Sequence, residues 1–212
     1  MANFKNEKGN PVLMKMVKAI QDNKDYLGEV DGLIGDGDHG MNMNKGFTMF
    51  GKEFGEKEFT FSEGLYELGN ILFSQIGGSM GPIYGTVFMD MSDAGEDFEE
   101  IGVSELADML AAGLAGLQEI VEAQVGDKTL VDTLSPAVDA LKESAGAGED
   151  LSSALVKMKD AAKKGMESTK DLVAKFGRSS RLGERSRGVL DAGSVSCCII
   201  LTAMADGILE NL

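Results

Sequence analysis

The chain has 212 residues, 43% of them hydrophobic, and a formal net charge of −15. This length allows one domain with a full core or two small ones, and the hydrophobic content is too high for a disordered chain. The acidic balance excludes general nucleic-acid binding, which requires Lys and Arg to neutralise phosphates.

Three further features favour a reducing, cytoplasmic location without a membrane partner. Cys197 and Cys198 are adjacent, a placement poorly suited to a structural disulfide. The first ten residues are polar and are followed by no apolar run, so we expect no secretory signal. The longest apolar stretch, residues 195–205, is expected to be too short to cross a bilayer.

Hydrophobic residues recur at helical spacing in every long segment, which predicts an all-α protein. Ser62 is the expected cap of the third helix, and residues 93–100 are expected to form an acidic linker. The predicted helices, in chain order, are 11–27, 41–54, 62–76, 83–91, 104–125, 132–144, 151–176 and 191–209.

An acidic, glycine-rich segment, residues 31–47, follows the first predicted helix. Asp31, Asp36 and Asp38 fall within eight residues of one another, and glycines let the backbone turn tightly enough for the acids to converge. Converging carboxylates need a cation, and hard oxygen ligands suit Mg²⁺, Mn²⁺ or Ca²⁺. The spacing does not fit a helix-loop-helix calcium site, since Phe47 would occupy the position of its distal Glu.

A surface turn is the alternative, because Asp and Gly are the commonest turn-forming residues. The neighbouring His39, Asn42 and Asn44 favour the metal site, since asparagine can hold phosphate oxygens or metal-bound water without adding charge. His39 is the only histidine of the chain. With Asn42 it is expected at a helix N-terminus, where free N–H groups favour phosphate.

Two further segments suit phosphate. Residues 77–82, GGSMGP, lead into a predicted helix, and backbone amides at such a position can hold phosphate, although an ordinary interhelix turn is at least as good an interpretation. All four arginines lie within residues 178–187, and the guanidinium fork suits phosphate. The alternative for this arginine segment is a surface patch that pairs with nearby acids.

Four segments together resemble the nucleotide-binding L subunit of dihydroxyacetone kinase: IGDGDHGMNMNKGF (34–47), GGSMGPIYGTVF (77–88), GDKTLVD (126–132) and GRSSRLGERSRG (177–188). The resemblance spans nearly the whole chain. It implies one domain over residues 1–212, a closed antiparallel barrel or bundle of about eight helices, with the nucleotide in the loops at one end.

The resemblance also implies the cofactors, ADP or ATP and two Mg²⁺ ions held by Asp31, Asp36 and Asp38. It implies no catalytic residue on this chain, because the substrate is expected to be activated on a partner subunit. The implied nucleotide-contacting residues are His39, Gly40, Met41, Asn42, Gly78, Ser79, Met80, Gly81, Thr129, Leu130, Gly177, Arg178, Asp191, Ala192 and Gly193.

In the family, a separate K subunit holds the sugar, and a phosphohistidine donor protein of the phosphotransferase system rephosphorylates the bound ADP. The resemblance implies both partners for this chain. The arginine segment is a candidate docking face for phosphate-bearing or acidic partners.

The chain departs from the family at two places. Met80 stands where the family usually has Ser, and the family's His-Gln-Asp-Pro-Gly is here Val-Leu-Asp-Ala-Gly, residues 189–193. These departures leave two alternatives open: a paralogue acting on another short sugar such as a ketotetrose, or a subunit without turnover. In the second case a nucleotide-loaded module would engage a transcriptional regulator.

Overall fold

A computed structural model describes residues 2–212, and α-helices form most of this part of the chain. A two-residue strand pair, β1 (Phe4–Lys5) with β2 (Glu100–Ile101), is antiparallel with Phe4 opposite Ile101. The protein is therefore all-α, as predicted. The helices are α1 (Gly9–Ile34), α2 (His39–Phe54), α3 (Phe61–Gln75), α4 (Met80–Gly95), α5 (Val103–Ile120), α6 (Val131–Gly146), α7 (Leu151–Ser168) and α8 (Ala192–Leu209).

The eight helices form a closed ring. Each helix packs against the next one in the chain, and α8 packs back against α1. The buried hydrophobic side chains of all eight helices form one continuous cluster inside this ring. Because successive helices run in alternate directions, every second connection lies at the same end of the bundle. The connections α1–α2, α3–α4, α5–α6 and α7–α8 therefore meet at one end of the bundle.

Helix α8 is apolar around its whole circumference because it is buried among its neighbours. It contacts α1, α6 and α7, and most of its residues are inaccessible to solvent. By length and composition this 18-residue helix could cross a membrane, in contrast to the expectation for residues 195–205 alone. Burial of this kind is typical of a core helix.

Several helix ends differ from the predictions, and the differences shape the end with the four connections. Helix α1 continues to Ile34, so Asp31 lies on its last turn and not in a loop. Helix α4 begins at Met80, because Pro82 is tolerated in a first turn, and it extends to Gly95 into the predicted linker. Helix α5 ends at Ile120 and α7 at Ser168, both earlier than predicted.

Helix α3 begins one residue before its predicted start, and its cap is Thr60 rather than Ser62. The Thr60 hydroxyl accepts a hydrogen bond from the Glu63 N–H at 3.1 Å, and the Glu63 carboxylate accepts one from the Thr60 N–H at 2.7 Å. Ser62 is buried and donates its hydroxyl to the Gly95 carbonyl oxygen at 2.8 Å. The prediction failed because Ser62 is bonded to α4 and not to its own helix.

Replacing Thr60 by Ala is expected to lower the free energy of unfolding by about 1 kcal/mol, because the Glu63 N–H loses its acceptor. The melting temperature should fall by about 2–4 °C for a chain of this size. Thermal unfolding followed by circular dichroism measures this change. Thr60→Ser keeps the hydroxyl and should unfold like the wild type, and an equal loss in both variants would contradict the capping role.

Candidate functional site

A cavity of about 800 Å³ opens at the end where the four connections meet, and residues of all four line it. The N-termini of α2, α4, α6 and α8 also lie in this lining. Each helix N-terminus presents unpaired N–H groups and a partial positive charge. The cavity therefore favours anions on this side.

The three predicted acids converge at one edge of the cavity. One carboxylate oxygen each of Asp31, Asp36 and Asp38 lies within 4.8 Å of the other two. Gly35 makes this possible, because a Cβ there would lie 2.2 Å from Asp31 Oδ1. Three hard oxygen donors at this spacing fit a divalent cation such as Mg²⁺.

The arginine segment reaches this acidic edge from the α7–α8 connection. The guanidinium of Arg178 forms an ion pair with the Asp36 carboxylate. The preceding Gly177 has a φ of 70°, in the left-handed region that glycine adopts readily. Arg187, by contrast, pairs with Glu184 within its own segment. Arg178 is thus the arginine that the fold places in the cavity lining.

His39 is the first residue of α2 and lies beside the acids. Its backbone N–H donates to Asp31 Oδ2 at 3.3 Å, and its Nε2 lies 2.8 Å from Ser196 Oγ. Burial lowers the pKa of the imidazole, and the nearby negative charge of Asp31 opposes this shift only in part. Asn42, one turn along α2, also lines the cavity.

The connection before α4 presents its backbone to the cavity. Gly78, with a φ of 76°, and Ser79 are exposed at the start of α4. Ser79 occupies the N-cap position, and its hydroxyl makes no capping hydrogen bond. Met80 lines the cavity but is largely buried, with a side chain that belongs to the hydrophobic core.

Three predicted nucleotide-contacting residues do not line the cavity. A Cβ on Gly40 would lie 1.9 Å from the Lys24 carbonyl oxygen, and one on Gly81 would lie 2.2 Å from that of Ile76. Both glycines are therefore needed for close packing between backbones. Met41 points outward and is 70% exposed.

The α5–α6 connection forms the opposite wall. Thr129 and Leu130, two of the residues predicted to contact the nucleotide, line the cavity. The carboxylate of Asp132 fixes this connection by accepting hydrogen bonds from the N–H groups of Gly126 at 2.6 Å and Thr129 at 2.7 Å. The wall is thus held in place by backbone contacts to a buried acid.

Lys128 is buried in this wall. No role was predicted for it from the sequence. It is 1% exposed, and its φ of 62° is unusual for a residue other than glycine. Its ammonium donates to the carbonyl oxygens of Thr169 and Val189. Burial lowers its pKa, although Asp191 and Asp132 act in the other direction.

Residues 191–193 complete the lining at the start of α8. The Asp191 carboxylate caps this helix by accepting the Ser194 N–H at 2.7 Å, so Asp191 precedes the helix that was predicted to include it. Burial raises the pKa of Asp191 to about 6, while the Ser194 hydrogen bond and the positive charge of Lys128 lower it. Ala192 and Gly193 also face the cavity.

An apolar surface lines the part of the cavity between the α5–α6 and α7–α8 connections. It consists of Ile120, Val121, Leu130 and Phe176. Ile120 is 51% and Phe176 is 37% exposed, so together they form a partly open apolar patch. Of these four residues, only Leu130 was predicted to contact the nucleotide, because the other three were expected to lie within helices. An apolar, partly open surface of this kind suits a planar ring.

The different positions of Ser79 and Met80 give a prediction for the binding of ADP, the nucleotide that the resemblance in sequence implies. Ser79→Ala should weaken ADP binding by about 0.5–1.5 kcal/mol if its hydroxyl contacts phosphate. Met80→Ser should keep ADP affinity or raise it slightly. It should lower the melting temperature, because it removes a side chain from the hydrophobic core. Calorimetric titration with ADP at fixed Mg²⁺ tests both variants. A loss of affinity for Met80→Ser with none for Ser79→Ala would contradict this assignment.

The fold and the site define a class: an all-α ring whose connections combine an acidic edge that fits a divalent cation with several helix N-termini. The family model of the DAK2 domain matches residues 33–206. The ADP-binding subunit DhaL of PEP-dependent dihydroxyacetone kinase 1 from Listeria innocua is 39% identical over 186 residues, or 87% of this chain and 88% of that subunit. The chain belongs to this family of dihydroxyacetone kinase L subunits.

Two further comparisons agree. The ADP-binding subunit DhaL of the Escherichia coli PEP-dependent dihydroxyacetone kinase is 34% identical over 184 residues, 85% of this chain and 87% of that subunit. The dihydroxyacetone kinase of C. freundii, solved in complex with AMP-PNP and Mg²⁺, matches with a TM-score of 0.71 at 20% identity. That match covers 97% of this chain but 35% of the larger enzyme, and it shows the same fold.

Proposed function

We propose that this chain, as one domain over residues 1–212, is the cytoplasmic ADP/ATP-binding subunit of a dihydroxyacetone-type kinase. The observation that carries the proposal is the convergence of three carboxylates with four helix N-termini on one cavity. This arrangement suits a polyphosphate accompanied by divalent cations, because the helix ends favour the anion and the acids favour the metal.

Asp31, Asp36 and Asp38 would hold two Mg²⁺ ions, which would neutralise charge on the phosphates during transfer. The backbone at Gly78 and Ser79 would donate hydrogen bonds to the phosphates, and His39 and Asn42 would approach them from α2. Leu130 and its apolar neighbours would contact the adenine. The segment from Asp191 to Gly193 and Arg178 would close the ribose and phosphate side.

The reaction that we propose needs two partners. A phosphohistidine donor protein transfers its phosphoryl group to bound ADP, forming ATP in place. The γ-phosphoryl group then passes to a hydroxyl of a ketose held on a separate K subunit, which regenerates ADP. The two DhaL subunits named above belong to PEP-dependent kinases, which supports a donor of this type rather than free ATP.

The ketose is the open part of the proposal. L-Erythrulose 1-kinase of Mycolicibacterium smegmatis is 29% identical over 200 residues, which are 92% of this chain and 34% of that enzyme. A short ketotetrose is therefore the second candidate substrate. A nucleotide-loaded module that binds a transcriptional regulator without turnover is the remaining alternative from the sequence.

Mass spectrometry of nucleotide released from freshly purified protein tests the binding step, and ADP is the expected result. Mixing the protein with a K subunit, a phosphohistidine donor and either dihydroxyacetone or erythrulose tests turnover and substrate. Phosphorylated dihydroxyacetone would support the kinase proposal. ADP binding without transfer to either ketose would favour the regulatory alternative.

A further inference from the structure

Three polar side chains from three helices form a hydrogen-bonded chain beside the cavity. Tyr84 of α4 and Ser196 of α8 are buried, and Tyr84 Oη lies 2.7 Å from Ser196 Oγ. Ser196 Oγ lies 2.8 Å from Nε2 of His39, the first residue of α2. The chain therefore joins the starts of three of the helices that surround the cavity.

The carbonyl oxygen of Gly193 favours one direction for these hydrogen bonds. It can only accept, and it lies 3.0 Å from Ser196 Oγ and 3.1 Å from Tyr84 Oη. When Ser196 donates to this carbonyl, its oxygen accepts from both Tyr84 O–H and His39 Nε2–H, so every donor is used. In the reverse direction Ser196 would donate to His39 Nε2, its 3.0 Å contact with the Gly193 carbonyl oxygen would lack a hydrogen, and the ring hydrogen of neutral His39 would lie on Nδ1.

We propose that Tyr84 and Ser196 are positioning residues that hold the His39 imidazole with its hydrogen on Nε2, leaving Nδ1 available to the cavity. A buried hydrogen bond on one ring nitrogen determines the tautomer and the orientation of the ring. Neither residue was assigned a role from the sequence, since Tyr84 and Ser196 are 112 positions apart.

Nuclear magnetic resonance tests this orientation directly, because His39 is the only histidine and its ring nitrogens give unambiguous signals. The spectra are recorded on metal-free and nucleotide-free protein at alkaline pH, where the ring is neutral. We expect the wild type to carry its ring hydrogen on Nε2. Ser196→Ala should give a mixture of tautomers, and Tyr84→Phe, which removes only the hydroxyl, should change the same signals.

Ser194→Ala is the matched control. Ser194 is equally buried near the start of α8, but its hydroxyl bonds to Thr133 and not to His39. Its variant should leave the His39 signals unchanged. A hydrogen on Nδ1 in the wild type would overturn the proposal. Unchanged His39 signals in both Ser196→Ala and Tyr84→Phe would overturn it as well, and circular dichroism confirms that the variants are folded.

The consequence for nucleotide binding rests on the proposed function. Ser196→Ala should raise the dissociation constant of ADP with Mg²⁺ about fivefold, in keeping with one misplaced hydrogen-bonding group, and Ser194→Ala should not. A wild type that does not bind ADP would overturn the proposed function and not the orientation, because the ring signals are read without nucleotide. Altered ring signals with unchanged ADP affinity would overturn the link between orientation and binding.

Discussion

Asp38→Asn is expected to abolish Mg²⁺-dependent retention of ADP and to raise its dissociation constant at least about 100-fold, which corresponds to ~2.7 kcal/mol. The substitution removes one of three negative charges whose oxygens lie within 4.8 Å of one another. An amide oxygen still coordinates weakly, but it no longer balances the charge of a divalent cation. Calorimetric titration with ADP, with and without Mg²⁺, measures the effect.

Asp38 is a cleaner choice than Asp36, because Asp36 already forms an ion pair with Arg178. Asp36→Asn would remove a proposed metal ligand and free an arginine in the same step. The matched control is Asp25→Asn, which makes the same charge change at an exposed position of α1 outside the cavity lining. Wild-type ADP affinity in Asp38→Asn would contradict the assignment of these acids to the metal.

The same variant separates loss of the site from loss of the fold. Without metal, Asp38→Asn should melt no lower than the wild type, because it relieves repulsion among like charges. ADP with Mg²⁺ should raise the melting temperature of the wild type by mass action, and chelator should reverse this gain. The variant should show neither response.

Most of the fold could be predicted because most of the helices are amphipathic and their buried positions recur every three to four residues. The ends of the helices were harder to predict, since they depend on contacts between residues that are distant in sequence. Helix α7, for example, was predicted to reach residue 176 but ends at Ser168. The next carbonyl oxygen, that of Thr169, is bonded to Lys128 across the cavity wall.

For the candidate site, the sequence predicted the groups whose chemistry is concentrated in short segments. Asp31, Asp36 and Asp38 are the best case, and the structure brings them together. The sequence could not distinguish a glycine that faces a ligand from one that allows close packing, as at Gly40. Nor could it find Tyr84, because a tyrosine at a buried helical position has no local pattern that reveals its partner.

Lys128 could not be predicted from the sequence either, because its partners are distant in the chain. Its substitution should have the largest effect on stability among the variants proposed. Its ammonium is the donor to two carbonyl oxygens that belong to different parts of the α7–α8 connection. It also lowers the pKa of Asp191, the cap of α8. A single side chain therefore holds the α5–α6 connection against the segment that leads into α8.

Lys128→Met keeps an unbranched apolar stem but removes the ammonium donor. The loss of this donor leaves two carbonyl oxygens without a hydrogen bond, which destabilises the protein, while removal of a buried charge offsets part of this loss. The free energy of unfolding should therefore fall by about 2–3 kcal/mol. The melting temperature of nucleotide-free protein should fall by about 5–10 °C. Without the positive charge, the pKa of Asp191 should rise further.

Lys175→Met is the control for this substitution, because Lys175 joins the same two connections: it lies in the α7–α8 connection, and its ammonium is 2.5 Å from the Asp127 carboxylate of the α5–α6 connection. Its side chain is 65% exposed, so the loss of this ion pair should cost at most about 1 kcal/mol. Thermal unfolding of both variants, in the absence of ADP and Mg²⁺, gives the comparison. Equal losses of stability in the two variants would show that the buried contacts of Lys128 to Thr169 and Val189 do not hold the cavity wall.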